Sequence, residues 1–192
     1  GLIQLDRVEQ AEQYILDVSE VHHQSVSRVM NQIEDTAVAA LLVGKASRAA
    51  ELGIQLQVDP RSSLSGEEHM LPSGVMVTIL GNLIENATES LNHSTQKEIH
   101  VSILENPDGL LLCVEDTGPG ILPELLPYIF EPGVSTKGEA GHGLGLVQIK
   151  DLTDLYHGQI RVESEPKSGT SFFLSFPAHS TPSPQGGAPG SP

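Results

Sequence analysis

The chain has 192 residues, of which 38% are hydrophobic and only 4% aromatic, so aliphatic side chains must fill most of its core. Its formal net charge of −15 at pH 7 argues against a nucleic-acid-binding surface and against adhesion to anionic membranes. The single cysteine, Cys113, excludes an internal disulfide, and no apolar run approaches the roughly 18 residues that a membrane-spanning helix needs.

Residues from about 6 to 50 have a helical pattern. A seven-residue repeat, typical of a helical bundle or coiled coil, forms a seam that would face a neighbouring helix. Its members are Val8, Ile15, His22 and Val29. A break is predicted near residues 34–36, before a second helical stretch that continues to about residue 50. Because the chain opens at Gly1 without a methionine, we expect it to be a fragment of a longer protein.

Downstream of residue 50, strand and helix patterns alternate. In chain order, the predicted elements are a strand (53–59), a long helix (73–91), a strand hairpin (98–116), a helix (143–156) and two strands (158–165 and 170–177). Ser73 is the predicted N-cap of the long helix, and Cys113 is predicted to be a buried strand residue. The Gly- and Pro-rich span 117–140 is long enough to indicate a functional loop. The tail from Ala178 onward is predicted to be disordered.

The long helix carries a polar stripe that contains two asparagines one turn apart. A helical wheel places on this stripe Asn82, Glu85, Asn86 and Glu89. It places on the opposite face Met76, Ile79, Leu80, Leu83 and Ala87. A solvent-facing helix would normally favour lysine, glutamate or glutamine over asparagine, whereas amide and carboxylate oxygens suit Mg²⁺. The spacing alone leaves open an ordinary surface helix and a cation site.

Two glycine-rich segments follow. Asp116 ends an apolar strand beside Gly118 and Gly120, where its carboxylate would either begin a plain turn or accept the exocyclic amine of a purine. Residues 141–146, G-H-G-L-G-L, fit neither the dinucleotide fingerprint nor the P-loop. They precede an apolar-periodic helix whose N-terminus is suited to hold a polyphosphate, although this signal is weak by itself.

Taken together, these segments resemble the nucleotide-binding boxes of sensor histidine kinases. The segments N-L-I-E-N, D-T-G-P-G, I-F-E-P-G-V-S-T-K and G-H-G-L-G-L are similar, in this order, to the N, G1, F and G2 boxes of that family. A closing G-T-S-F is similar to its last nucleotide-site segment. The resemblance covers about residues 50–177. It implies ATP and Mg²⁺ as cofactors and the Bergerat fold, a two-layer α/β sandwich with a mixed sheet and an ATP lid, shared with gyrase, Hsp90 and MutL ATPases.

The first segment resembles the dimerisation hairpin of the citrate and C4-dicarboxylate sensor kinases. The resemblance implies three parts: a partial α-helical dimerisation and phosphotransfer hairpin (1–48), an ATP-binding catalytic domain (49–177) and a disordered tail (178–192). It also implies that the phosphoacceptor histidine lies upstream of Gly1. His22 and His23 are not expected to be the acceptor, because Gln24 and Ser25 follow where the family has an acidic residue and soon Asn or Thr.

The resemblance assigns roles to the helix and strand residues. Asn86 matches the Mg²⁺ ligand, Asn82 the asparagine near the phosphates, and Glu85 the acidic residue that orients or deprotonates the acceptor imidazole. Asp116 matches the aspartate that reads adenine. The residues expected to shape the base pocket are Gly118, Gly120 and Thr170.

The resemblance also assigns residues to the ATP lid. Phe130 matches the aromatic residue that anchors one edge of the lid. The hinge and phosphate-holding segment comprises Gly141, Gly143, Leu144 and Gly145. Lys137 and His142 lie where a lid side chain would contact the γ-phosphate, and Lys137 is grouped with Asn82 and Glu85 as catalytic.

The residue at position 82 distinguishes the ATPases of this fold from its histidine kinases. ATPases that activate water carry a glutamate at this position, and an amide cannot act as a general base, so transfer to a histidine is favoured over hydrolysis. Glu89 stands where many kinases carry a lysine near the phosphates. The alternatives are a clamp-type ATPase of the same fold and a non-catalytic pseudokinase scaffold. The expected partners are a response regulator receiver domain and a second copy of the chain. The expected location is cytoplasmic, with the whole protein anchored in the bacterial inner membrane through upstream segments.

Overall fold

The structure is a computed structural model that describes residue 29 and residues 31–65, 71–133 and 144–178. Its helices are α1 (Thr36–Glu51), α2 (Ser73–Ser90) and α3 (Leu144–Leu155). Its strands are β1 (Gln55–Val58), β2 (Glu98–Asn106), β3 (Gly109–Asp116), β4 (Gln159–Glu165) and β5 (Gly169–Pro177). These bounds agree with the predicted elements. The histidines at 22 and 23, most of the N-terminal seam and nearly all of the predicted tail lie outside the described residues.

The predicted break before α1 is confirmed, and Asp35 causes it. The Asp35 carboxylate caps α1 by accepting a hydrogen bond from the Val38 amide at 2.9 Å. It also accepts a hydrogen bond from the hydroxyl of Ser73 at the start of α2. The prediction that Ser73 is the N-cap of α2 is therefore wrong: the N-cap is Pro72, and the Ser73 hydroxyl bonds to Asp35 instead.

Five strands of the described chain form one sheet in the order β1-β2-β3-β5-β4. β1 runs parallel to β2, and the other neighbouring pairs are antiparallel, so the sheet is mixed. β2 and β3 form the predicted hairpin, which closes at the pair Asn106 and Gly109. The Asn106 side chain accepts both turn amides, from Asp108 at 2.9 Å and from Gly109 at 3.2 Å.

The strand alternation directs apolar side chains to one face, where the helices cover them. Val101 on β2, Val114 on β3 and Phe172 on β5 are register partners and are all buried. Cys113 is likewise buried, as predicted, and burial raises the pKa of its thiol to about 12, so it is not a nucleophile at neutral pH.

α1 shares this core. Val38 and Leu42 of α1 are fully buried in the same hydrophobic cluster as α2 and the sheet. α1 crosses the domain boundary predicted between residues 48 and 49, and that boundary stays a prediction. None of the helices in the described ranges combines the length and hydropathy needed to span a bilayer.

Candidate functional site

α2 has one apolar and one polar face, as its sequence predicts. The residues buried against the core are Met76, Ile79, Leu80, Leu83, Ile84 and Ala87. On the other face Glu85 is exposed, while Asn82 and Asn86 are half-buried. The polar stripe thus lies next to the core, and both α1 and α3 pack against α2, the helix that carries it.

Strand register places Asp116 at one end of this stripe. Asp116 is the last residue of β3 and lies on the same face of the sheet as Val114, towards the helices. Its register partner on β5 is Thr170, which is buried. The Thr170 hydroxyl lies 2.9 Å from the hydroxyl of Ser164 on β4. The structure therefore brings together Asp116 and Thr170, which are 54 positions apart in the sequence.

Three donors surround the Asp116 carboxylate. The Gly118 amide donates to Oδ1 at 2.8 Å, and the Ser90 hydroxyl lies 3.2 Å from the same oxygen. The Thr170 amide is the third donor. Burial raises the pKa of Asp116, because it disfavours the charged form, while the three donors act in the opposite direction. Asp116 is thus a desolvated carboxylate that is held in place as a hydrogen-bond acceptor.

The glycines beside Asp116 are required by steric contacts. A Cβ on Gly118 would lie 2.5 Å from Asp116 Oδ1 and 2.6 Å from Ser90 Oγ. Gly120 has φ +73°, and a Cβ there would lie 2.1 Å from the Glu165 carbonyl oxygen. A side chain at either position would therefore displace the carboxylate or the turn that follows it.

The N-terminal end of α3 lies at the other end of the stripe. Asn82 Nδ2 donates to Gln148 Oε1 at 3.0 Å, and a Cβ on Gly145 would lie 3.5 Å from Asn82 Oδ1. Leu144, the first residue of α3, is exposed. The amide groups that begin α3 are thus held close to Asn82, which suits an anionic group at this end.

α1 contributes a positively charged side chain to the same stripe. Lys45 forms an ion pair with Glu85, and the side chain of Lys45 is 24% exposed. In the stripe's centre, the Nδ2 of Asn86 is buried and has no hydrogen-bond partner within the described part of the chain. A buried amide donor without a partner is unusual in a folded protein, so the Nδ2 of Asn86 suits an acceptor on a bound group, whereas its Oδ1 is the atom able to ligate a cation.

The described ranges contain no cluster of three or more His, Cys, Asp or Glu side chains that would hold a metal ion. A cation at the stripe would therefore depend on amide oxygens such as that of Asn86 and on oxygens of a bound phosphate group. Mg²⁺ accepts such ligand sets, because it commonly keeps few protein ligands and completes its shell with waters and phosphates.

Part of the predicted site is not described. Lys137, Gly141, His142 and Gly143 lie outside the described residues, so their roles stay predictions. Phe130 is half-buried and packs against the core, next to the buried Ile129. Its predicted function as a lid anchor also stays a prediction.

Three contacts of the site were not predicted from the sequence. Ser90 shares the stripe with Asn82 and Asn86 at four-residue intervals, so the helical wheel contains the signal for it. Lys45 and Gln148 are separated from their partners on α2 by 40 and 66 positions, and no local pattern pairs them.

Comparison with known proteins identifies the family of the chain. Residues 73–180 match the family described as histidine kinase-, DNA gyrase B-, and HSP90-like ATPase. A probable C4-dicarboxylate sensor kinase of Halalkalibacterium halodurans is 39% identical over 180 residues, which are 92% of this chain and 34% of that protein. The sensor histidine kinase DcuS of Escherichia coli K12 is also 39% identical, over 92% of this chain and 32% of that protein. The chain thus spans about a third of the length of these relatives.

Solved structures agree on the fold. The structure of full-length ShkA in complex with AMPPNP has a TM-score of 0.63 and 25% identity, over 79% of this chain and 31% of that one. The mycobacterial sensor histidine kinase MprB has a TM-score of 0.57 and 20% identity, over 75% of this chain and 97% of that one, and so supports the fold alone. The predicted Bergerat-type α/β fold is confirmed, as is the resemblance to the catalytic domains of histidine kinases. The chain belongs to the histidine kinase-, DNA gyrase B- and HSP90-like ATPase family.

Proposed function

We propose that this chain binds ATP with Mg²⁺ and transfers the γ-phosphate to a histidine on an upstream dimerisation helix of a sensor histidine kinase. The observation that carries this proposal is the order of groups along α2. Ser90 lies against the base-reading Asp116, Asn86 follows one turn away, and Asn82 lies at the start of α3. Eight residues separate Ser90 from Asn82, about 12 Å along a helix, which suits an extended nucleotide with its base at one end and its phosphates at the other.

The base end favours adenine. The donors around Asp116 stabilise its ionised, accepting form, which pairs with the exocyclic amine of adenine. The 6-oxo group of guanine would instead bring two acceptors together and leave a buried acceptor unpaired.

The side chains at the phosphate end favour transfer of the γ-phosphate to a histidine over hydrolysis. Asn86 would hold Mg²⁺, which neutralises charge on the phosphates when bound. Asn82 has no basic lone pair with which to activate water, and the neighbouring carboxylate of Glu85 is engaged by Lys45. In the proposed reaction, the lone pair of an imidazole nitrogen forms a bond to the γ-phosphorus, and the bond from that phosphorus to the bridging oxygen breaks. ADP leaves with the electron pair of the broken bond, and the proton on the other imidazole nitrogen is released to solvent. The phosphate would then pass to a receiver-domain aspartate.

The names of the relatives support an inference about partners and location. Two relatives are named as sensor kinases, one of them a probable C4-dicarboxylate sensor. We infer that the whole protein dimerises through its N-terminal helices, signals to a response regulator and is anchored in the bacterial inner membrane, with this chain in the cytoplasm.

Two measurements test the proposal. Calorimetric titration of the chain with ATP and with ADP, in Mg²⁺ and in EDTA, should show binding that Mg²⁺ strengthens. The full-length protein, incubated with γ-labelled ATP, should acquire acid-labile phosphate on histidine. Sustained phosphate release without labelling would favour the clamp-type ATPase, and nucleotide binding with neither activity would favour the pseudokinase scaffold.

A further inference from the structure

Lys45 lies on α1 beside the polar stripe of α2. It lies on α1 between Leu42 and Ala49, which are both buried in the core. Its ammonium group reaches across to the Glu85 carboxylate, and this contact joins two separate helices. The side chain of Lys45 is 24% exposed, whereas that of Glu85 is 55% exposed. The buried neighbours therefore fix the backbone of α1 at Lys45, and the Lys45 ammonium group contacts the Glu85 carboxylate.

The position of Glu85 makes this contact important for a phosphate ligand. Glu85 is a helical neighbour of Asn82 at three positions and of Glu89 at four positions, so two carboxylates lie along the stripe. An uncompensated carboxylate close to a polyphosphate repels it, and this repulsion is stronger beside a protein surface than in bulk water. The positive charge of Lys45 offsets the charge of Glu85 at the end of the stripe where the phosphates are proposed to lie.

We propose that Lys45 is a positioning residue of the nucleotide site, which orients the Glu85 carboxylate and offsets its charge so that the site accepts the terminal phosphate of ATP. This proposal rests on the function proposed above. It assigns to α1 a share of the site, although none of the sequence boxes lies on α1. Because the γ-phosphate is the group added in ATP relative to ADP, the effect of Lys45 is larger for ATP.

A surface ion pair within α3 gives a matched comparison. Lys150 pairs with Asp154 at 2.6 Å, one turn away on the same helix, and the two side chains are 40% and 60% exposed. Pairs of this type contribute little to stability. Lys150→Met therefore removes the same charge from the chain without removing a contact to the stripe.

The test is calorimetric titration of the chain with ATP and with ADP in Mg²⁺. Lys45→Met should weaken ATP binding by about three- to fivefold and ADP binding by less, so that the ratio of the two dissociation constants changes. Lys45→Arg should retain the wild-type ratio, because the charge remains. Lys45→Met combined with Glu85→Gln should return ATP binding to near the wild-type value, because the uncompensated carboxylate has been removed. Lys150→Met should leave both dissociation constants unchanged.

Thermal denaturation without nucleotide accompanies each titration and shows whether each variant is folded. The Lys45 proposal is overturned if Lys45→Met and Lys150→Met give the same ATP and ADP constants, or if Glu85→Gln fails to relieve the loss. If the wild-type chain binds neither nucleotide, the proposed function fails and the Lys45 proposal fails with it. A purely structural role of Lys45 would lower the denaturation midpoint and leave the ATP-to-ADP ratio unchanged.

Discussion

The carboxylate of Asp116 lies half-buried at the end of β3, and burial raises its pKa from the ordinary value of an aspartate. The folded state therefore binds this proton more tightly than the unfolded state does. The contribution of Asp116 to stability is fully present below the ordinary carboxyl pKa and is lost as the pH rises through the raised value. At neutral pH the ionised group thus costs stability, which is a common compromise at binding sites.

Asp116→Asn should weaken nucleotide binding without lowering the stability of the fold. We expect nucleotide affinity to fall about tenfold to a hundredfold, because a hydrogen bond to a charged group is lost. The free energy of unfolding at pH 7 should not fall, because a desolvated charge has been removed. Calorimetric titration and urea denaturation measure the two quantities, with Asp154→Asn on the surface of α3 as the control. Equal nucleotide affinity in wild type and Asp116→Asn would show that the base lies elsewhere.

The same carboxylate predicts a pH dependence of binding. As the pH falls towards the raised pKa of Asp116, the carboxyl becomes a donor and nucleotide affinity should decrease. Titrations at several pH values, repeated with Asp116→Asn, separate this effect from protonation of the phosphates, which both proteins share. Identical pH profiles for the two proteins would contradict the assignment.

Gly118→Ala should damage the site through steric contact. The new Cβ would approach both Asp116 and Ser90 well inside van der Waals distance, so we expect a loss of about 1–3 kcal/mol in stability and weaker nucleotide binding. The matched control is Gly44→Ala, at an exposed position of α1 where the new Cβ would meet no atom within 4 Å outside the neighbouring backbone of its own helix. It should stabilise the chain by about 0.5–1 kcal/mol. If urea denaturation showed that both Gly118→Ala and Gly44→Ala stabilise the chain, that result would contradict the packing around Asp116.

At the scale of elements, Asp35 joins α1 to α2. Its carboxylate caps α1 through the Val38 amide and accepts the hydroxyl of Ser73 at the start of α2. Asp35→Ala should therefore lower the free energy of unfolding by about 1–2 kcal/mol, as the loss of a helix cap does. Asp35→Asn should retain most of the stability, because asparagine caps helices as well. The nucleotide affinity of the folded fraction should not change. An Asp35→Ala protein as stable as wild type in urea would show that the cap is dispensable.

For the protein as a whole, we expect α1 to unfold together with the sheet, because it shares the same core. Val38 and Leu42 have no exposed surface, and burying such a side chain contributes about 1.5–3 kcal/mol, whereas a whole domain is stable by only about 5–15 kcal/mol. A chain that starts at residue 52 should therefore be unfolded by circular dichroism and should not bind ATP. A chain that starts at residue 29 keeps the buried Val29 and Ile33 and should fold and bind like the full chain. A folded, ATP-binding chain from residue 52 would support the boundary at 48 and 49.

The elements and much of the candidate site can be predicted from local patterns in the sequence. The 3.6-residue period of α2 separates its apolar and polar faces, and the two-residue period of β3 carries Asp116 to the end of a buried strand. These features depend on local backbone geometry, which is why they can be read from neighbouring residues. The order of the nucleotide boxes then predicted the family and the fold.

Which side chains meet across elements depends on the tertiary fold. The partners Lys45 and Glu85, Asn82 and Gln148, and Ser90 and Asp116 are 40, 66 and 26 positions apart. Such contacts depend on strand register and on how the helices pack over the sheet, and no local pattern encodes either. The hydroxyl of Ser73 illustrates the same limit: its local position predicted an N-cap, but a buried carboxylate 38 positions away is its actual partner, because Asp35 approaches it in the folded core.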